Sequence, residues 1–378
     1  MTDAPQLRVL IATPFGARQR GGIDRLTDLI IDTLATDCTG RIHAARLVTR
    51  GTGTLALSPF IFSWALFRLL VAKARGEVDL LHVNVAAGGS AVRKAILARW
   101  ARLLGIPYIV HLHGSRFHQF WPTARPSVRR IVDRMFGESA GIIVLGKYWL
   151  ELVATALPAV RDKISILPNA TAPIQGTRLP AADGRVRISF LGELGPRKGT
   201  PQLVEALGRL AKYPQWVATL AGNGQIQPTR DRVRELGIEG RVAVPGWLDA
   251  SRVNEILRST DILVLPSFAE NLPMSILEAF AYGAAVIATP VGAVAEVIVP
   301  ESNGLLVPAG DVENLTKALL RLIIEDELRA SLGAAAKRDH AKHYDIQVYL
   351  ARLTEIWRTA AHAMTAARQS RPQSRVQV

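Results

Sequence analysis

Two carboxylates eight positions apart, Glu270 and Glu278, bracket the stretch of this chain best equipped for chemistry. Asn271, Leu272, Pro273, Met274 and Ser275 follow the first of them. Pro273 suits the first turn of a helix, and Gly283 suits its end. On that helix Met274, Ser275, Glu278 and Tyr282 share one side, while Pro273, Ile276, Leu277 and Phe280 share the other. The apolar side can pack on a sheet while Glu278 looks outward. A helix N-terminus offers unpaired N–H groups and a positive dipole end, which attract phosphate. The pattern therefore fits a phosphate site flanked by two carboxylates, or a surface helix with two solvated glutamates. Arg197 and Lys198 stand among glycines in Gly195-Pro196-Arg197-Lys198-Gly199. They can meet a diphosphate through charge and backbone N–H groups, or be two exposed cations in a turn. His111 and His113 precede Gly114 at a strand's carboxyl end, where a doubly wound sheet faces its ligand. Alternation puts both on one side of the strand, so spacing does not separate a site histidine from a core histidine.

The elements that must position these groups repeat a single scheme. Leu7–Ala12 is a strand expectation that runs into Gly21-Gly22-Ile23 and then a helical period over 24–35. Val78–Asn84, Ile106–Gly114, Ile142–Leu145 and Ile164–Ala170 read as further parallel strands. The proline- and glycine-bearing stretch 168–184 reads as a linker, after which the scheme restarts. Strands are expected at 186–192, 216–220, 241–248, 262–265 and 285–288, with helices at 201–211, 250–259 and 311–324. Loops rich in glycine or charge follow strands, so they gather on one edge. Strand, glycine loop and helix at the start lack the dinucleotide fingerprint G-x-G-x-x-G, and Gly21 and Gly22 alone would also suit a tight turn.

Length and composition bound the rest. At 378 residues the chain suggests two domains. The lone cysteine, Cys38, excludes an internal disulfide framework and any cysteine-rich metal site. The N-terminus does not read as a signal peptide, and no apolar run reaches the length of a spanning helix. The net charge of +14 is uneven: +11 over 1–172, −1 over 173–345 and +4 over 346–378. A basic first half points to an anionic partner surface. Residues 58–75 read as a helix, apolar nearly all round at its start and basic at its end. It is either a buried helix on the sheet or an interfacial one with Arg68, Lys73 and Arg75 at lipid headgroups. Basic helices near 90–104 (Arg93, Lys94, Arg99, Arg102) and 125–136 (Arg125, Arg129, Arg130, Arg134) lie on the same half. None of these stretches shows a nucleic-acid motif.

Taken together, the chain resembles the family 4 retaining glycosyltransferases of the two-Rossmann-domain (GT-B) architecture, over nearly its whole length. The resemblance rests on Gly21-Gly22-Ile23, His111-Leu112-His113-Gly114, Leu167-Pro168-Asn169-Ala170, Gly195 to Gly199, the E-x7-E pair Glu270 and Glu278, and Val291-Gly292-Ala293-Val294-Ala295-Glu296. Glu193, Gly146 and Ala293 depart from the family pattern. The wording around His113 to Phe117 and Leu191 to Gly199 looks most like bacterial exopolysaccharide and lipopolysaccharide enzymes, several of them mannosyltransferases.

The resemblance implies an α/β fold of two Rossmann-like, doubly wound parallel-sheet domains facing across a cleft. Residues 1–172 would form an acceptor-side domain and 173–345 a nucleotide-sugar domain. A helix over 346–360 would cross back to the first domain, and 361–378 is expected to be a disordered tail. It implies a retaining, metal-independent transfer of a hexose, mannose as first guess, from a GDP- or UDP-linked donor. No further cofactor is implied. Lys198, supported by Arg197, would hold the donor diphosphate, and Glu270 the sugar hydroxyls. Glu278 would hold the ribose. The N–H groups of Leu272 to Ser275, with Asn271 and Pro273 in the same turn, would meet the phosphates. Gly21 and Gly22 would approach the same phosphates, and His113 would sit near the reacting carbon. The base would lie against loops 222–224 and 245–248. The implied acceptor is a lipid-linked saccharide, and the implied location cytoplasmic and peripheral on the inner face of the membrane. A sugar-nucleotide epimerase or hydrolase of the same architecture, or a non-catalytic nucleotide-binding module, are the alternatives.

Overall fold

The computed structural model describes residues 6–17, 21–37, 40–52, 54–174, 179 and 183–369. Cys38, residues 370–378 and much of the expected linker lie outside the described residues. The chain divides into two units, one running to Pro168 and resuming at Ile346, the other spanning Asn169–Asp345.

The first unit is built on a parallel sheet of six strands. They are β1 (Leu7–Thr13), β2 (Ile42–Val48), β3 (Leu80–Val85), β4 (Tyr108–Leu112), β5 (Gly141–Val144) and β6 (Ile164–Ile166). Their order is β2-β1-β3-β4-β5-β6, so the winding reverses between β1 and β3. All six residues of β3 and all five of β4 are buried, as expected for central strands covered on both faces. His82, Asn84 and His111 are carried inside with them. The last helix, Ile346–Gln369, belongs to this unit. It buries Tyr349, Leu350, Leu353, Trp357 and Ala360. Arg352 donates to the Ile166 carbonyl at 2.8 Å, and the Trp357 indole N–H donates to His82 Nδ1 at 3.0 Å.

The second unit repeats the design. Its strands are β7 (Val186–Leu191), β8 (Trp216–Ala221), β9 (Val242–Gly246), β10 (Ile262–Leu265), β11 (Ala285–Ala288) and β12 (Leu305–Leu306). Their order is β12-β11-β10-β7-β8-β9 and all described pairs are parallel. The winding reverses between β7 and β10, which opens a crevice at their carboxyl ends. The loop carrying Lys198 follows β7, and the loop carrying Glu270 follows β10.

Several expectations change. The last helix runs nine residues past Ala360, to Gln369. Residues 360–368 are alanine-rich with no glycine or proline, so nothing stops it. Strand β2 and the helices Phe117–Thr123, Lys147–Ala156, Ile226–Glu235 and Asp326–Asp339 had no sequence counterpart in the reading above. β2 is an edge strand whose His43 faces out, which weakens its apolar signal. The helix Ser58–Ala74 buries only Ser58, Ala65, Leu69 and Ala72. It is therefore not a buried helix: Phe60, Trp64 and Phe67 are 75%, 60% and 51% exposed. Lys94 is not on a solvated face but fully buried, donating to Thr49 Oγ1 at 2.8 Å.

Candidate active site

The crevice of the second unit is assembled from loops that the strand order makes neighbours. Pro196–Lys198 forms a single helical turn after β7, and Gly199 follows with φ 70°. A Cβ at Gly199 would lie 2.0 Å from the Pro266 carbonyl oxygen, so only glycine lets the two loops touch there. The contact is reinforced by the Phe268 N–H, which donates to the Arg197 carbonyl at 2.9 Å. Lys198 and Glu270 are thereby brought together although 72 positions apart: Lys198 Nζ donates to Glu270 Oε1. Their side chains are only 14% and 8% exposed. Ser267 Oγ donates to the same Oε1 at 2.7 Å. Arg197 lies beside them, donating to Glu193 Oε2 at 2.7 Å and to the Ala269 carbonyl at 3.4 Å.

The next residues are fixed through their backbone. The Asn271 carbonyl accepts from the Ala293 N–H at 2.9 Å, and the Leu272 carbonyl accepts from Asn169 Nδ2 at 2.8 Å. Gly292, φ 59°, presses against the Glu270 carbonyl so closely that a Cβ would come within 2.2 Å. Pro273 caps a helix over Met274–Tyr282, which ends at Gly283. Ile276, Leu277 and Phe280 are buried, while Met274, Ser275, Glu278 and Tyr282 remain partly exposed, the division expected from the wheel except that Pro273, expected on the packed side, is also partly exposed. Pro273, at the cap position, has no side-chain donor or acceptor, so the start of this helix is not closed by its own cap residue. The site thus offers a cation and a carboxylate in one crevice beside a helix start. That chemistry suits an anion bonded to a polyol.

Gly21, Gly22 and His113 lie in the first unit. Gly21 precedes the helix Gly22–Ala35 at the carboxyl end of β1, and Asp24 in its first turn accepts from the Phe15 N–H at 3.2 Å. The structure separates the two histidines that spacing left equivalent. His111 is buried, whereas His113 is partly exposed and bonds through Nε2 to Asn84 Oδ1 at 3.0 Å. Their ring centroids lie 3.9 Å apart with the planes tilted by 40°, and His82 Nε2 meets His111 Nδ1 at 3.1 Å. The Trp357 N–H donates to His82 Nδ1, so His82 carries its proton on Nε2 and gives it to His111. Burial pushes the pKa values of His82 and His113 down to about 3 and that of His111 well down too; neighbouring histidines add to the effect on His82 and His111. The group is neutral at pH 7. Burial has the opposite consequence for Asp24, raising it to about 6.

Sequence reasoning missed Ser267, Asn169's hold on the Leu272 carbonyl, and the His82–Trp357 bond. Ser267 is three residues before Glu270 in the same loop, and that spacing was the available signal. The other two span 103 and 275 positions; the Leu167-Pro168-Asn169-Ala170 motif and the expected return of the last helix pointed to their regions but not to the bonds.

Comparison with known proteins agrees with this division of the chain. Residues 7–170 match the family described as "Glycosyl transferase 4-like domain", and residues 177–339 match "Glycosyl transferases group 1". A 2-deoxystreptamine glucosyltransferase of Streptomyces kanamyceticus is 26% identical over 303 residues, 75% of this chain and 78% of that protein. A phosphatidyl-myo-inositol mannosyltransferase of Mycolicibacterium smegmatis is 26% identical over 297 residues, 77% of this chain and 73% of that protein. Among solved structures, Anabaena HepE in complex with UDP-glucose superposes with a TM-score of 0.70 at 16% identity, covering 96% of this chain and 100% of that one. Each of the two families accounts for one parallel-sheet unit, and the chain belongs to the family 4 glycosyltransferases of the GT-B fold.

Proposed function

We propose that this glycosyltransferase is a retaining, metal-independent hexosyltransferase, with mannose the first candidate, acting in bacterial polysaccharide synthesis. Its donor is a GDP- or UDP-linked sugar and its acceptor a lipid-linked saccharide. The observation that carries the reading is the Lys198–Glu270 pair in the crevice between β7 and β10. Lys198 holds the donor diphosphate and stabilises the charge that develops as its bond to the sugar breaks. Arg197 assists. Its tie to Glu193 is largely exposed and weak, so the guanidinium is free to turn to phosphate. Glu270 accepts from sugar hydroxyls and Glu278 from the ribose. The N–H groups of Leu272 to Ser275, in the turn of Asn271 and Pro273, meet the phosphates. Gly21 and Gly22 leave room for backbone contact with phosphate, and His113, neutral and held by Asn84, serves the reacting sugar and the acceptor. The acceptor hydroxyl oxygen bonds to the anomeric carbon on the face that the diphosphate leaves. Its proton passes to the departing phosphate oxygen. No protein nucleophile takes part, and the charge is met by side chains and backbone dipoles.

Two relatives support the sugar and acceptor classes. The Mycolicibacterium protein is named for mannose and a phosphatidylinositol, and the Anabaena structure holds UDP-glucose. An outward apolar stripe supports a lipid surface. Phe60, Trp64 and Phe67 recur at helical spacing, and the adjoining helix Gly89–Leu103 adds exposed Ile96 and Leu103. Arg68, Arg99 and Arg102 are exposed among them, the composition of an interfacial surface. Among the described residues no helix is long and apolar enough to cross a membrane. The reading is of a cytoplasmic enzyme held peripherally on the inner face of the membrane. A thermal-shift screen against GDP-, UDP- and ADP-sugars, followed by anomeric analysis of the product from labelled donor, tests it. Stabilisation by one donor class and a product with the donor's anomeric configuration are expected. An inverted product, or free sugar formed without acceptor, would overturn it.

A further inference from the structure

We infer that Ser267 is a positioning residue for the sugar-binding carboxylate, holding Glu270 by one oxygen so that the other stays available to the donor sugar. The inference rests on the reading of Glu270 given above. Ser267 is fully buried, and its hydroxyl reaches Glu270 Oε1 at 2.7 Å. Lys198 occupies the same oxygen, so both bonds end on Oε1 and neither uses Oε2. The two holders differ in kind. Lysine carries its ammonium on a flexible four-carbon stem, whereas serine has one short torsion. A bound diphosphate attracts Lys198, and the ion pair loosens at the moment the sugar arrives. The Ser267 hydroxyl is then the tie that remains.

The loop after β11 makes this tie rigid. The Thr289 hydroxyl donates to the Ser267 carbonyl. Gly292 packs on the Glu270 carbonyl, and the Ala293 N–H bonds the Asn271 carbonyl at 2.9 Å. The backbone at both Ser267 and Glu270 is therefore clamped from outside. Only the glutamate side-chain torsions are left to order, and the serine hydroxyl orders them.

Calorimetric titration with a nucleoside diphosphate and its sugar conjugate separates this role from a structural one. The probes are UDP with UDP-glucose and GDP with GDP-mannose; the pair that binds the wild-type chain is used. S267A should bind the bare diphosphate within about twofold of wild type and the sugar conjugate about tenfold more weakly, the scale of one hydrogen bond to a charged group. S267C, which keeps the volume and a weak donor, should recover part of the loss. S267A/E270A should bind the conjugate no more weakly than E270A alone, because the serine acts through the glutamate. Equal loss of both ligands in S267A, wild-type binding of both, or further loss in the double variant would each overturn the inference. Wild-type binding of the conjugate by E270A would instead remove the role given to Glu270. Binding of neither pair by the wild-type chain would remove the donor reading and this inference together.

Discussion

At the scale of single residues, the second unit keeps its two opposite charges on each other. A nearly buried ion pair is a costly arrangement unless both ends are satisfied, and Glu270 Oε1 receives two donors. An anionic ligand gives Lys198 a second partner. K198A should therefore lower turnover by about 10²–10³-fold, the usual scale for losing one group that faces developing charge. Product formation from radiolabelled donor measures this, and near-normal turnover would remove Lys198 from the site. The first unit carries a pH signature. His82 and His113 have folded pKa values of about 3, and His111 is also well below its ordinary value. Unfolding returns each to about 6.5, so the unfolded chain takes up protons that the folded one refuses. Their contribution to stability is present above about pH 6.5 and is lost as pH falls toward 3, at roughly 1.4 kcal/mol per pH unit for each titrating group. Asp24, raised to about 6, works in the opposite sense: its contribution is present below about pH 3.8 and lost as pH rises through 6. Three histidines outnumber one aspartate. Urea unfolding followed by tryptophan fluorescence should thus show stability falling between pH 7 and pH 5, and a flat profile would contradict a histidine group that stays neutral in the folded chain.

At the scale of elements, one prediction concerns how loops meet. In G199A the new Cβ would strike the Pro266 carbonyl, and φ 70° is itself unfavourable for alanine. The loop bearing Lys198 must then move away from the loop bearing Glu270. Transfer activity should fall at least as far as in K198A, while circular dichroism retains the α/β signal; full activity would show that the two loops need not touch. Much of this region was legible in the chain. Pro273 and Gly283 punctuate the helix, and apolar spacing separates Glu278 from Ile276 and Leu277. The strand–loop–helix repeat put Arg197, Lys198 and Glu270 on one sheet edge. What stayed hidden depends on partners distant in sequence. Lys94 reads as one more basic residue until Thr49 is seen to receive it. His111 and His113 differ only because Asn84, His82 and Trp357 sort them. Strand β12 is two residues long, too short for any period.

At the scale of the whole molecule, the basic charge and the apolar stripe fall on the same half of the chain. Replacing Phe60, Trp64 and Phe67 by serine removes the aromatic part of the stripe without replacing a buried side chain. The triple variant should lose sedimentation with anionic vesicles at low salt yet keep its melting temperature within a few degrees. Unchanged sedimentation would mean that charge alone draws the chain to lipid, and absence of sedimentation in the wild type would remove the membrane from its function.

The return of the last helix to the first unit has a consequence for how the protein is made. The ribosome completes Asn169–Asp345 as one uninterrupted segment, while the unit begun first still lacks Trp357 and its neighbours. Vectorial synthesis therefore leaves the earlier-started half open, its His82 without the indole donor, until the last helix has emerged. A chain released after Asp345 should yield a protease-resistant fragment from Asn169–Asp345 and none from the segment before it.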